Sequence, residues 1–254
     1  MLQLTDCIDA FIDEVDSEPY QPVYRRQSFG SPVVGWSNRL SSYFWPKPSV
    51  GLRETEERLQ ALLARGEELS LSLPSWTQSQ REMAVKFALE VFQWGGVRQR
   101  LLDCDMVQSV FEAAHGGNSE NVPMNSGWCK VAALATAHLE SVEKSQAICD
   151  SRVAWSIVRR MDGILHRNKC QQVPSFLNGI GKILGRGGNR QELSTRLRWP
   201  TAYRSWDSHF ATTKIVREIK RQLNIKGYTS LHPTRGELEW DVRSVEMVLF
   251  MDGY

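Results

Sequence analysis

The sequence predicts a mainly α-helical protein, and three observations predict it. Apolar residues recur at helical spacing in six separate stretches. Alternation of apolar and polar residues at the period of a strand is scarce. Gly66, Gly95-Gly96 and Gly116-Gly117 follow periodic stretches, where helices tend to stop. With 254 residues, 41% of them hydrophobic and 24% charged, the chain can bury a sizeable core. It reads as one unit over residues 1–254, with no internal repeat and no coiled coil.

Residues 1–50 read as a loop-rich N-terminal region. Within it, 18–48 is rich in Pro, Ser and aromatic residues and is expected to wrap the surface or line a cleft. A helical body is expected over 51–226. Its first helix covers 53–65, with Leu59, Leu62 and Leu63 on one side and Gly66 as its stop. The second covers 79–94, where Met83, Ala84, Phe87, Ala88, Val91 and Phe92 share a face. The third, 97–115, carries Leu101, Val107, Val110 and Phe111. A hairpin at 122–130 leads into a helix over 130–141. Another follows over 151–165, with Val153, Ala154, Ile157, Val158 and Met161 inward. A helix over 212–223 has a basic outer face. Residues 227–254 read as a C-terminal extension. Short strands are expected near the N-terminus or within 238–250. Residues 179–188 hold several glycines with Lys182 and Arg186, but lack the spacing and the context of a P-loop.

The formal net charge of +2 hides an asymmetry. Residues 150–226 hold 16 Lys and Arg against 5 Asp and Glu, and the segments on either side are acidic. Such a block is a candidate phosphate-binding footprint; the alternative is charges that ring the helices evenly. No apolar run approaches the roughly 20 residues of a membrane span. The N-terminus lacks the basic and apolar parts of a secretory signal. A cytoplasmic monomer without membrane contact is expected. Cys7, Cys104, Cys129, Cys149 and Cys170 are odd in number and show no C-x-x-C pair, which argues against disulfides, a zinc site or an iron–sulfur cluster. Cys129 and Cys149 are expected to be small packing residues. The histidines do not pair at metal-ligand spacing, and no G-x-S-x-G occurs. Neither a metal nor another cofactor is expected.

The chemistry lies in a spacing. Gly127-Trp128-Cys129-Lys130 opens the small-residue stretch 131–135, and Ile148-Cys149-Asp150-Ser151-Arg152 opens the next helix. One amine and one carboxylate, each at a helix start, can face the same point. A helix N-terminus and partial desolvation both disfavour the ammonium form of a lysine. A neutral amine is the nucleophile of Schiff-base chemistry. Asp is also a preferred N-cap, and capping would orient the carboxylate while leaving one oxygen free. Arg152 either pairs with Asp150 or reaches a phosphate. The pair suits cleavage of a glycosidic bond in DNA. The amine attacks the sugar C1′ as the base leaves, and the carboxylate offsets the developing charge.

Lys130-Val131-Ala132 follows the hairpin, and Asp150 comes twenty positions after the lysine, preceded by the polar Lys144-Ser145-Gln146-Ala147. This pattern, over residues 123–165, resembles the helix-hairpin-helix DNA glycosylases, specifically the 8-oxoguanine DNA glycosylase branch and its small bacterial relatives. The family hairpin usually carries two glycines around an apolar residue, where this chain has Asn125-Ser126-Gly127-Trp128. The resemblance implies a two-lobed helix-hairpin-helix glycosylase fold with a cleft between the lobes. It implies Lys130 as nucleophile, Asp150 as activator, and double-stranded DNA containing a modified base as partner. The base is 8-oxoguanine, in DNA repair, or a hypermodified phage base, in antiviral defence; the latter needs a roomy, polar pocket. A Schiff base favours additional abasic-site lyase activity. Gly127, Arg152, Arg186, Arg190, Arg198 and Arg204 are expected to contact DNA. A flipped base needs stacking surfaces, and the candidate base pocket is Trp36, Asn38, Arg39, Phe44 and Trp45. Trp128 is expected to pack. The competing reading is a non-catalytic helix-hairpin-helix module that grips phosphates through backbone N–H groups.

Overall fold

Where apolar residues repeat at helical spacing, the chain is helical. The computed structural model describes residues 2–98, 102–183, 195–202 and 205–253, and more than half of the chain is helix. The N-terminal region is not merely loop. Helix α1 (Leu4–Ser17) buries Cys7, Ile8, Phe11, Ile12 and Val15 along one face. The two-residue strands β1 (Val23–Tyr24) and β2 (Gln27–Ser28) form a small antiparallel hairpin, and the short helix α2 (Trp36–Ser41) follows.

Helix α3 (Leu52–Leu71) runs straight through Gly66. A Cβ added there would lie 2.7 Å from the carbonyl oxygen of Leu134, so this glycine permits a close helix crossing and is not a stop. Helix α4 (Gln78–Trp94) starts at a capping box in which Thr77 and Gln80 satisfy each other's backbone N–H groups. Helix α5 (Cys104–Ala114) begins later than the apolar pattern implies, because Asp103 caps it by accepting the N–H of Asp105. Helix α6 (Trp128–Thr136) ends sooner than expected, passing into a 3-10 turn over Ala137–Val142. All of its residues are buried, and α3, α4 and α5 pack around it. Small side chains allow that enclosure.

Helices α7 (Ser151–Arg167) and α8 (Trp206–Ile225) complete the expected set, the latter two turns longer than its apolar pattern suggests. Strands β3 (Ser230–His232) and β4 (Gly236–Leu238) pair antiparallel. His232 holds this hairpin in place, bonding Glu56 of α3 at 2.5 Å and the hydroxyls of Ser230 and Ser244 at 3.2 Å. The last element, α9 (Val242–Asp252), is buried on nearly all sides and packs on α2, α7 and α8. The C-terminal stretch is therefore part of the core, not an extension. Its end is locked by Asp252, which receives hydrogen bonds from Arg39, Ser156, Arg159 and Arg160. No helix among the described residues is long and apolar enough to cross a membrane.

Much of the positive block is neutralised internally. Arg160 meets Asp252 and Glu18, Arg167 meets Glu14, Lys220 meets Glu140 and Glu143, and Lys226 meets Asp9 and Asp13. The acidic N-terminal half thus answers part of the basic segment, and the outer face of α8 is less available to phosphates than its sequence suggests. Lys169, Arg196, Arg198 and Lys214 remain exposed.

Candidate active site

The hairpin before α6 is organised by one side chain. Asn125 Oδ1 accepts the N–H groups of Gly127 and Trp128, at 2.8 and 3.2 Å. Gly127 is buried, and a Cβ on it would stand 2.4 Å from the Phe92 ring. Expected to contact a phosphate, it has its N–H bonded to Asn125 and its α-carbon turned to the core. Trp128 packs edge-on against Phe92, with ring centroids 4.9 Å apart.

This rigid turn delivers Lys130. The lysine is 5% exposed. Its stem runs past Gly95, where a Cβ would lie 2.5 Å from Lys130 Cδ. Nζ donates to the carbonyl oxygen of Ser126 at 2.9 Å. Asp150 divides its two oxygens. Oδ1 accepts the N–H groups of Arg152 and Val153, capping α7. Oδ2 faces Lys130 Nζ at 3.7 Å, close enough for strong attraction but beyond a hydrogen bond.

Both side chains line one narrow pocket, with Tyr43, Trp45, Trp94, Glu246, Met247 and Phe250. Trp45 meets Phe250 edge-on at 5.5 Å and donates its indole N–H to the carbonyl oxygen of Trp94 at 2.7 Å. The Arg152 guanidinium lies 4.5 Å from the Phe250 ring centroid and 5.7 Å from that of Trp45. It therefore belongs to the aromatic wall beside Asp150. Cys129 and Cys149 are buried, and burial pushes their thiols up, that of Cys129 to about 11. They pack and stay protonated.

Of the five expected base-pocket residues, Trp45 lines this pocket. Trp36 is a core residue that donates to the carbonyl oxygen of Ile12 and packs against Trp240. Arg39 is committed to Asp252. Phe44 is buried between Tyr24 and Phe29. Asn38 is exposed and bonds the carbonyl oxygen of Val34. The sequence cluster 36–45 does not act as a unit, because Trp36 on α2 enters the core while Phe44 and Trp45, past the end of α2, turn to different neighbours. Glu246, Met247 and Phe250 were missed. Their signal is the helical spacing of Glu246 and Phe250, on a segment expected to hold a strand.

Arg198 is exposed, on a stretch joined to Lys182 by backbone hydrogen bonds of 2.9 and 3.0 Å. Ile183 and Ala202, beside this contact, pack on Ala154, one turn beyond Asp150, and border the hairpin at Asn125 and Ser126. Arg186, Arg190 and Arg204 lie outside the described residues. A larger cavity lies further along α6, lined in part by Ala133, Leu134, Gln146, His232 and Arg243, and Met247 borders both spaces. It lacks the amine–carboxylate pair, so the smaller pocket is the chemical candidate. No family model, curated protein or solved structure matches the chain.

Proposed function

We propose that the protein is a DNA N-glycosylase that flips a modified base out of duplex DNA and excises it. The observation that carries this reading is the buried Lys130–Asp150 pair, with Nζ 3.7 Å from a carboxylate oxygen that the helix cap leaves free. The deprotonated Lys130 amine gives its electron pair to C1′. The glycosidic bond breaks, its pair leaves with the base, and the base takes up the proton that the newly bonded nitrogen gives up. Asp150 Oδ2 offsets the positive charge that builds on the sugar. The two-lobed helix-hairpin-helix architecture and the lyase step of a Schiff base are part of the same proposal.

The walls bear on the substrate. Tyr43, Trp45, Trp94 and Phe250 make the pocket narrow and largely apolar. They offer aromatic faces on which a flipped planar base, 8-oxoguanine among the candidates, would stack. Asn125 also occupies backbone donors that a phosphate-gripping, non-catalytic hairpin would present.

The test is borohydride trapping on duplexes that carry different modified bases, 8-oxoguanine first. The wild type should form a covalent protein–DNA adduct. Lys130→Gln should abolish trapping and retain binding. Asp150→Asn, which still caps the helix, should slow excision by about 10²–10³-fold. Excision that persists undiminished in both variants would sink the assignment.

A further inference from the structure

The pocket holds a second carboxylate that this mechanism does not use. Glu246 is 4% exposed and lines the same walls as Lys130 and Asp150. Its Oε2 accepts the N–H of Ile148 at 2.5 Å, which fastens α9 to the stretch that ends in Asp150 two residues later. Its Oε1 pairs with Arg243, whose guanidinium lies 5.3 Å from the Trp94 ring centroid.

Several ionisable groups surround it. From α6 come Lys130 and the Cys129 thiol, and from the stretch before α7 come the Cys149 thiol and Asp150. Tyr43, beyond α2, lines the same pocket. Helix α8, which also packs on α9, brings His209, whose carbonyl accepts the Cys149 S–H. The two thiols stay neutral for the reason given above, and burial pushes His209 down to about 3. The other charged side chains around it are Lys130, Arg243, Asp150 and, from the start of α7 against the Phe250 ring, Arg152. Burial raises Glu246 to about 7, against the opposing pull of Arg243 and the Ile148 N–H.

Resting on the glycosylase reading, we propose that Glu246 is a positioning residue whose bond to Ile148 fixes where Asp150 stands and whose ionisation governs how readily Lys130 gives up its proton. An ionised Glu246 adds a second anion beside the ammonium and holds the proton on Lys130. A protonated Glu246 withdraws that anion and leaves Asp150 to face the lysine alone.

Glu246→Gln tests this, because it keeps the volume and the acceptor oxygen for Ile148 and removes the charge. The readout is reductive methylation of Lys130 by formaldehyde and cyanoborohydride, followed peptide by peptide in a mass spectrometer across neutral and alkaline pH. Lys214, exposed on α8, is the internal control. The wild-type curve should show an inflection at about 7 beneath the main rise. Glu246→Gln should lose that inflection and label several-fold faster on the rising slope, with Lys214 unchanged. Superimposable curves, or a wild-type curve with a single rise, overturn the inference, and the wild-type curve decides even if the variant does not fold. Borohydride trapping of the wild type on an abasic duplex separates the two claims. An inflection without trapping removes the glycosylase reading and keeps the hold of Glu246 on Lys130. Trapping with superimposable curves removes the role of Glu246 alone.

Discussion

Asp150 and Asp252 are both buried carboxylates, and they meet the cost of burial in opposite ways. Asp150 gives one oxygen to two backbone N–H groups and keeps the other facing Lys130 Nζ beyond hydrogen-bond distance. Asp252 has both oxygens saturated, by Arg39, Arg160, Arg159 and Ser156. The first arrangement leaves a group available for chemistry; the second is structural. Burial alone would raise the Asp252 carboxyl, but the hydrogen bonds and charge of Arg160, with Arg159 and Ser156, hold it well below the usual carboxylate range. Asp252→Asn should leave Arg39 and Arg160 buried without their counter-charge and destabilise the fold by about 3–5 kcal/mol at neutral pH. The sign of the pH dependence follows from the lowered folded value. The carboxylate's contribution is complete above the unfolded value of about 4 and is lost as pH falls through the folded value. Denaturant midpoints should therefore show a wide gap between wild type and variant at neutral pH that narrows in acid. A gap independent of pH would mean that the charge is not what stabilises α9.

Among the helices, the apolar periods of α4, α7 and α8 were legible, because each has one face in the core and one in solvent. Helix α9 was not, since its residues are buried nearly all round and leave no polar stripe to mark a period. Helix α1 carries a regular apolar face that acidic residues and the Pro-rich stretch after it obscured. The Lys130–Asp150 pairing was legible as an order of motifs, hairpin, lysine, helix, aspartate, helix, that resembles the glycosylases, and the two groups stand 3.7 Å apart. The pocket's second carboxylate was not, since Glu246 arrives from far along the chain. Gly66 was misread because its reason is tertiary: the missing side chain admits the backbone of α6. Gly66→Ala tests that account. The new Cβ would meet a carbonyl oxygen at 2.7 Å, and backbone cannot rotate away as a flexible side chain can. Alanine favours an isolated helix by about 1 kcal/mol, yet separating α3 from α6 should make the variant less stable by about 1–3 kcal/mol. Because α6 carries Lys130, trapping should decline with it. A Gly66→Ala protein as stable as wild type in denaturant would show that α3 and α6 have slack at this crossing.

At the scale of the whole molecule, the question is where the charge asymmetry goes. The sequence reveals that residues 150–226 are basic and their flanks acidic. It does not reveal which cations meet which anions, since that depends on α1 packing beside α7 and α8. The fold pairs Arg160, Arg167, Lys220 and Lys226 with acids, so these residues belong to stability and add little to a field outside the protein. Arg196 and Arg198 are different. They are exposed, on the stretch that packs through Ala202 and Ile183 onto Ala154, close to the start of α7. A duplex presenting a base to the Lys130 pocket would bring its phosphates past this rim. Each phosphate neutralised by a cation releases condensed counterions and adds about 0.9 to the slope of log affinity against log salt. Arg198→Glu and Arg196→Glu should therefore weaken duplex binding across all sequences and flatten that slope by about 1 each, with thermal stability little changed. Lys220→Gln should do the reverse: it removes a partner from Glu140 and Glu143, lowers stability, and leaves the salt slope unaltered. Binding titrations at several salt concentrations, set beside melting curves for the same variants, distinguish the two classes. A salt slope unmoved by the arginine reversals would place the duplex on another face of the protein.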